Sequence, residues 1–195
     1  METKTTIKIK NMCCNRCIMV VTDVFKGLGL QLESVKLGEA IYIETPIIGY
    51  KNYDDFVAKE LKNKGFEIIV NREDSILEQV KIAIMELVNN LPHMGDKEIS
   101  IVTYLQKKIN HNYRELRSIF LKRKKITIER YFILQKIEKV KELIEENKFN
   151  FTEIADCMGY KATQHLAGQF KRITGLTMNQ YKISNKKERK FIDEI

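Results

Sequence analysis

The chain has 195 residues and a mass of 22.9 kDa, with 44% apolar and 31% charged residues, which excludes a largely disordered polypeptide and suits two small domains. Two Pro, 9 Gly and no Trp disfavour an all-β sandwich. Lys and Arg total 34 against 26 Asp and Glu, so the net charge is +8 and a polyanion is the first partner to test.

Met1 to Asn11 contains no apolar run that could serve as a signal-peptide core, and no stretch of about 18 apolar residues exists to cross a membrane. A cytoplasmic chain with no membrane contact is expected. Four cysteines are present, and Cys13, Cys14 and Cys17 crowd within five residues, too close to staple a fold. They predict reduced thiols at one local site. Cys157, among apolar helix positions, reads as a small core residue.

In chain order, Thr6 to Lys10 alternates polar and apolar residues, as a half-buried strand does. Cys17 to Leu28 carries Ile18, Val21, Val24, Phe25 and Leu28 at helical spacing, punctuated by Gly27 and Gly29. Strands are expected over Leu32 to Leu37 and Ala40 to Thr45, joined by a turn at Gly38-Glu39. A helix from Tyr53 to Lys64 stops at Gly65 and leads into a strand from Phe66 to Val70. The order is βαββαβ, the ferredoxin-like or split βαβ arrangement.

Beyond residues 71–74 the strand signal ends. Ser75-Ile76-Leu77-Glu78 reads as a capping box, followed by an apolar stripe of Leu77, Val80, Ile84, Leu87, Val88 and Leu91 that Pro92 and Gly95 terminate. Further helices are expected over 98–109, 112–123, 128–147, 151–158, 163–173 and 178–184, with Asn150 and Glu153 as a second capping box. The predicted fold class is therefore α+β: a ferredoxin-like domain over 1–71, an all-α seven-helix domain over 75–183, and a charged, frayed tail over 184–195. Residues 1–71 hold 10 Lys/Arg against 9 Asp/Glu and the remainder 24 against 17, so +7 of the charge falls on the helical part.

Cys14 and Cys17 have CxxC spacing between the first strand and first helix, where two sulfurs can converge on one soft ion. Proximity to a helix N-terminus and to Arg16 favours thiolate, the form a metal needs. Zinc wants four ligands and residues 1–71 contain no His, whereas monovalent copper accepts two thiolates. Copper(I) is the expected ion and zinc the second choice, with Cys13 as a third candidate ligand. Met12-Cys13-Cys14-Asn15-Arg16-Cys17 matches MxCxxC, and residues 5–71 resemble the heavy-metal-associated domain of copper chaperones. That resemblance implies Cys14 and Cys17 as ligands and Met12 as a core residue beneath the loop. Asn11 replaces the usual Gly before that Met.

In the helical half, Phe151 to Tyr160 and Thr163 to Thr174 have helix-turn-helix spacing. Ala155 permits close approach, Gly159 takes a left-handed turn, and Leu166 and Phe170 bury the second helix. The string Thr152-Glu153-Ile154-Ala155, Gly159-Tyr160, His165-Leu166, Gln169-Phe170-Lys171-Arg172, Thr174 to Thr177 and Tyr181-Lys182 resembles the DNA-binding domain of AraC/XylS-type regulators. The resemblance covers residues 75–183 and implies two helix-turn-helix units joined by a long helix, Ile128 to Glu145. In its first unit Ile101 to Leu105 leads to a turn at Asn110, in place of the usual Gly.

In the first unit Leu116, Ile119 and Phe120 are buried, leaving Arg114, Arg117 and Ser118 outward and Asn112 near the helix start, a set suited to base edges. In the second, Thr163, Gln164 and Gln169 face out, and Lys171 and Arg172 suit phosphates. Gly168 stands where a polar residue is common, and Ala162 offers no capping side chain, so base readout is expected mainly from the first unit. Lys122 to Lys125 is as readily a solvated face as a phosphate contact. His165 is expected to pack or cap, and Tyr160 and Tyr181 to lie in or at the core.

The expected function is sequence-specific DNA binding in transcription regulation, controlled by metal or thiol state at the MxCxxC loop. The resemblance implies major-groove double-stranded DNA and RNA polymerase as partners, for a monomer or a homodimer. The alternative is a cytosolic copper(I) carrier whose helical domain docks a protein. Paired carboxylates, a Ser/His/Asp set and a phosphate-binding glycine loop are all missing from the pattern, so an enzyme is not expected. A thiol-disulfide oxidoreductase would need a different order of elements.

Overall fold

The computed structural model describes residues 3–44, 53–93 and 100–184. The chain divides into two compact units, Met1–Ile82 and Ala83–Ile195. The expected turn at Gly95, the first residues of the helix expected from 98, Thr45 and the tail from 185 lie outside the described residues.

The first unit runs β1 (Thr3–Lys10), α1 (Asn15–Gly27), β2 (Gln31–Lys36), β3 (Glu39–Glu44), α2 (Tyr53–Asn63) and β4 (Glu67–Ile68). The strands lie in the order β2-β3-β1-β4, every neighbouring pair antiparallel. Period-2 alternation on β1 sends Ile7 and Ile9 into a core that also holds Met12, Val21, Phe25, Tyr42, Leu61 and Phe66. Phe25 and Tyr42 meet at 5.2 Å between ring centroids. The β2–β3 turn falls at Leu37-Gly38 rather than Gly38-Glu39, because Gly38 supplies the positive φ of 79° that the turn needs.

Two sequence expectations are corrected here. The strand expected from Phe66 to Val70 contracts to two residues, since β1 ends at the left-handed Asn11 and only Ile69 adds another bond, its amide to Lys8 O at 2.8 Å. Val70 is exposed. The capping box at Ser75 does not form: α3 (Arg72–Asn90) starts earlier, with Asn71 Oδ1 accepting from the Glu73 amide at 2.7 Å. Asn71 together with Glu73 and Asp74 in the first turn makes the better N-terminus. Ser75 is thereby inside the helix, its own amide donating to Asn71 O.

α3 begins in the first unit and ends in the second. A 3₁₀ turn (Leu91–His93) follows it, then α4 (Ile101–Ile109), α5 (Tyr113–Lys124), α6 (Ile128–Glu146), α7 (Phe151–Cys157), α8 (Thr163–Thr174) and α9 (Met178–Ile183). Each start is set by a local cap: Ser100, Asn112, Thr127, Asn150 and Thr177 accept from amides of the first turn, and only Ala162 before α8 supplies no side-chain bond. α6 is the frame of this unit. It packs against α5, α7, α8 and α9, and its buried face runs from Ile128 to Ile144.

Candidate functional site

The thiol cluster is built where β1 meets α1. Asn11 adopts φ 71°, a left-handed turn that Asn tolerates better than most residues. Three bonds hold it there: its amide donates to Glu78 Oε1 at 3.0 Å, its side chain donates to Gly65 O at 3.0 Å, and its carbonyl accepts from the Cys17 thiol at 3.9 Å. Met12 then turns inward and is fully buried, as the metal-associated resemblance implies. Cys14 is the residue before α1 and Cys17 lies one turn into it, with the Cys17 amide donating to Cys14 O at 3.0 Å.

Cys13 and Cys14 each bring their sulfur to 3.7 Å from Cys17 Sγ, and all three sulfurs lie within 4.8 Å of one another. Cys14 is exposed, while Cys13 and Cys17 are half-buried. Partial burial pushes the Cys14 thiol up, but hydrogen bonds from the Cys17 and Arg16 amides and from the neighbouring thiols outweigh it, so its pKa falls below the usual thiol value. The residues fit a soft ion: they are sulfur donors at chelating distance, and no His, Asp or Glu joins them among the described residues. Cys157 is apart from this cluster on α7, half-buried, with its thiol donating to Ile154 O. Burial raises its pKa, consistent with an inert packing role.

The candidate nucleic-acid interface lies on α5 and α8. Leu116, Ile119 and Phe120 are buried on α5, and Arg114, Arg117, Ser118 and Leu121 form one exposed stripe at i, i+3, i+4 and i+7. Asn112 is the cap of α5, its carboxamide oxygen accepting from the Arg114 amide at 2.8 Å, so that oxygen serves the helix. Tyr113 ties α5 to α6 by donating to Glu129 Oε1 at 2.6 Å, and burial together with that carboxylate holds its phenol well above the usual range. The turn between α4 and α5 uses Asn110 at φ 54°, the expected substitute for glycine.

On α8, Leu166 and Phe170 are buried, and Gln164, His165, Gly168, Lys171 and Arg172 are exposed. Thr163, expected outward, is half-buried, its hydroxyl donating to Thr152 Oγ1 at 3.3 Å. Two further readings change. Gln169, expected outward, is half-buried, and its Oε1 accepts from Tyr160 O–H at 2.5 Å. His165, expected to pack or cap, is exposed beside Gln164 on the outer face. Helical phase relative to Leu166 and Phe170 is the signal that could have placed both. Gly159 carries φ 69°, as the turn between α7 and α8 requires.

Between the two helix pairs, Lys136 of α6 is buried with its ammonium 3.9 Å from the Tyr160 ring centroid and 5.6 Å from that of Phe132. Burial lowers its pKa to about 8 and raises that of Tyr160 to about 12. A lysine whose pKa is depressed on folding binds its proton less tightly in the folded chain. Its burial therefore weakens the fold below about pH 8, and the penalty is relieved as pH rises from 8 towards the unfolded value near 10.4. Lys136→Met should raise the unfolding midpoint at pH 7, with the gain shrinking as pH approaches 10. Urea titrations at a series of pH values check this, and a pH-independent difference would contradict it.

No family model matches the chain. A curated relative, the uncharacterized HTH-type transcriptional regulator YtdP of Bacillus subtilis (strain 168), is 22% identical over 163 residues, which is 83% of this chain and 21% of that protein. The chain thus spans about a fifth of that relative's length. Solved structures of similar fold include three regulators. A DNA-binding transcriptional dual regulator from Escherichia coli K-12 has a TM-score of 0.45 and 14% identity, covering 53% of this chain and 89% of that one. The C-terminal domain of AraT, a response regulator from Geobacillus stearothermophilus, has a TM-score of 0.45 and 18% identity, covering 62% and 97%. The transcriptional regulator CdpR from Pseudomonas aeruginosa has a TM-score of 0.43 and 17% identity, covering 75% and 46%.

Proposed function

We propose that this chain is a sequence-specific DNA-binding transcription regulator of the AraC/XylS type, whose N-terminal ferredoxin-like, heavy-metal-associated unit controls it through metal or thiol state at Cys14 and Cys17. The observation that carries the reading is the pair of short-helix hairpins, α4–α5 and α7–α8. α5 of one and both helices of the other rest on α6, and each second helix turns basic and polar side chains outward. Two such helices on one rigid support suit successive major grooves, about 34 Å apart on one DNA face. The description of the Bacillus subtilis relative as an HTH-type regulator supports the same reading. The βαββαβ order and antiparallel sheet support the ferredoxin-like assignment of the first unit. RNA polymerase is the proposed protein partner, in the cytoplasm.

In this mechanism α5 reads base edges through Arg114, Arg117 and Ser118. Gln164, Lys171 and Arg172 of α8 hold phosphates or flanking bases. A soft ion bound at the thiols would supply the effector signal, and it shifts DNA binding only if it favours one conformational state over the other. The test is selection from a random duplex pool with the reduced apo-chain and with copper(I), zinc or an oxidant added. An enriched sequence whose recovery changes with copper is the expected result, and no enrichment under any condition would sink the proposal.

The exposure of Cys14 favours a second reading, a copper(I) carrier, because a thiol that hands over an ion must be reachable. Affinity for random duplex DNA at two salt concentrations separates the two. A regulator loses affinity steeply with salt, whereas a carrier has no such affinity to lose.

A further inference from the structure

The thiol cluster holds three sulfurs, one more than the MxCxxC resemblance calls for. We propose that Cys13 is a genuine third ligand, so that the loop is a closed, three-coordinate thiolate site for copper(I) rather than a two-coordinate one open to a partner's thiol. This rests on the metal-sensing reading of the same loop and deepens it.

The geometry carries the proposal. Cys17 Sγ is the shared corner of two 3.7 Å edges, to Cys13 Sγ and to Cys14 Sγ, and the third edge is no longer than 4.8 Å. A point equidistant from the three sulfurs therefore lies at most about 2.4 Å from each, which is close to the metal–thiolate distance of about 2.3 Å known for zinc. The triangle is already the right size for one ion, with no side chain needing to swing. The backbone explains why. The left-handed Asn11 starts the turn, the Cys13 amide donates to Cys17 Sγ at 3.5 Å, and the extended Cys14 enters α1 on the same side.

The chemistry narrows the ion. Three thiolates, with no fourth Cys, His, Asp or Glu joining them among the described residues, leave a tetrahedral ion such as zinc dependent on solvent for its last position. Monovalent copper, being soft and content with few sulfurs, is satisfied by the triangle alone. Each sulfur that binds releases its proton to solvent, and no oxidation or reduction is involved. A two-thiol site leaves a vacancy for an incoming thiol, the first step of ion transfer. An internal third thiol fills that vacancy, so the ion is retained, as a sensor requires and a carrier does not.

The full chain, reduced with a phosphine rather than a thiol, is loaded anaerobically with copper(I) and examined by X-ray absorption and by competition with a copper(I) chelator. The wild type should show three sulfurs around copper. Cys13→Ser should show two and lose at least tenfold in affinity, and added glutathione should restore a third sulfur in this variant alone. Cys157→Ser should match the wild type. Two sulfurs in the wild type, with Cys13→Ser binding as tightly, overturns the proposal while leaving the two-thiol metal site standing. Undiminished copper binding in Cys14→Ser/Cys17→Ser overturns both.

Discussion

Replacing Arg114 or Arg117 with Ala is expected to cost about 1–3 kcal/mol of specific DNA affinity each and to relax preference at one base position per residue. The magnitude follows from bidentate guanine recognition, which a planar guanidinium offers and an ammonium does not. Arg→Lys at either position should therefore retain nonspecific binding and still lose much of the discrimination. Folding should be nearly unchanged, because both side chains are exposed on α5 while Leu116, Ile119 and Phe120 carry its packing. Lys171→Ala on α8 makes the contrast. It should weaken binding about equally on every sequence and reduce the salt slope by roughly one. Binding isotherms on the selected duplex and on single-base variants measure both effects. If the two arginine changes leave affinity and preference intact, base readout lies elsewhere.

How much of this was legible beforehand depends on the range of the interaction. Elements set by local periodicity and caps, such as the α5 stripe, the Asn110 and Gly159 turns and the Asn150 box, follow from residues within a turn of one another. Features set by distant partners do not. Glu78 reads as a capping-box carboxylate in the sequence, yet it is buried and bonded to Asn11, 67 residues earlier. Gln169 reads as outward until Tyr160 is brought beside it by the turn. Lys136, Glu138 and Lys141 look like an ordinary charged helix face and are instead buried along α6, because that helix is covered on several sides. The convergence of Cys13 with Cys17 depends on such a partner in turn. Spacing identifies CxxC and offers Cys13 as a third candidate, and the left-handed turn at Asn11, bonded to Glu78, brings its sulfur in.

Glu78→Ala is expected to destabilise the first unit by about 3–5 kcal/mol, the cost of removing one partner from a buried ion pair. The side chains of Glu78 and Lys81 are 4% and 6% exposed, and Lys81 Nζ reaches both carboxylate oxygens at 3.1 Å. Without Glu78 the ammonium is left buried and unpaired, and the Asn11 amide loses its acceptor. Removing both charges as Glu78→Met/Lys81→Met should recover much of the loss, because what remains is one unsatisfied amide, worth about 1–3 kcal/mol. Glu78→Gln, which keeps an oxygen for Asn11, should fall between. The order Glu78→Ala, then Glu78→Gln, then the double Met variant in rising urea midpoint is the expected result. Equal midpoints for Glu78→Ala and wild type would show that the pair contributes nothing. The consequence reaches the thiols: Asn11 is the left-handed turn that starts the loop, so Glu78→Ala should also weaken copper(I) binding although Glu78 touches no sulfur.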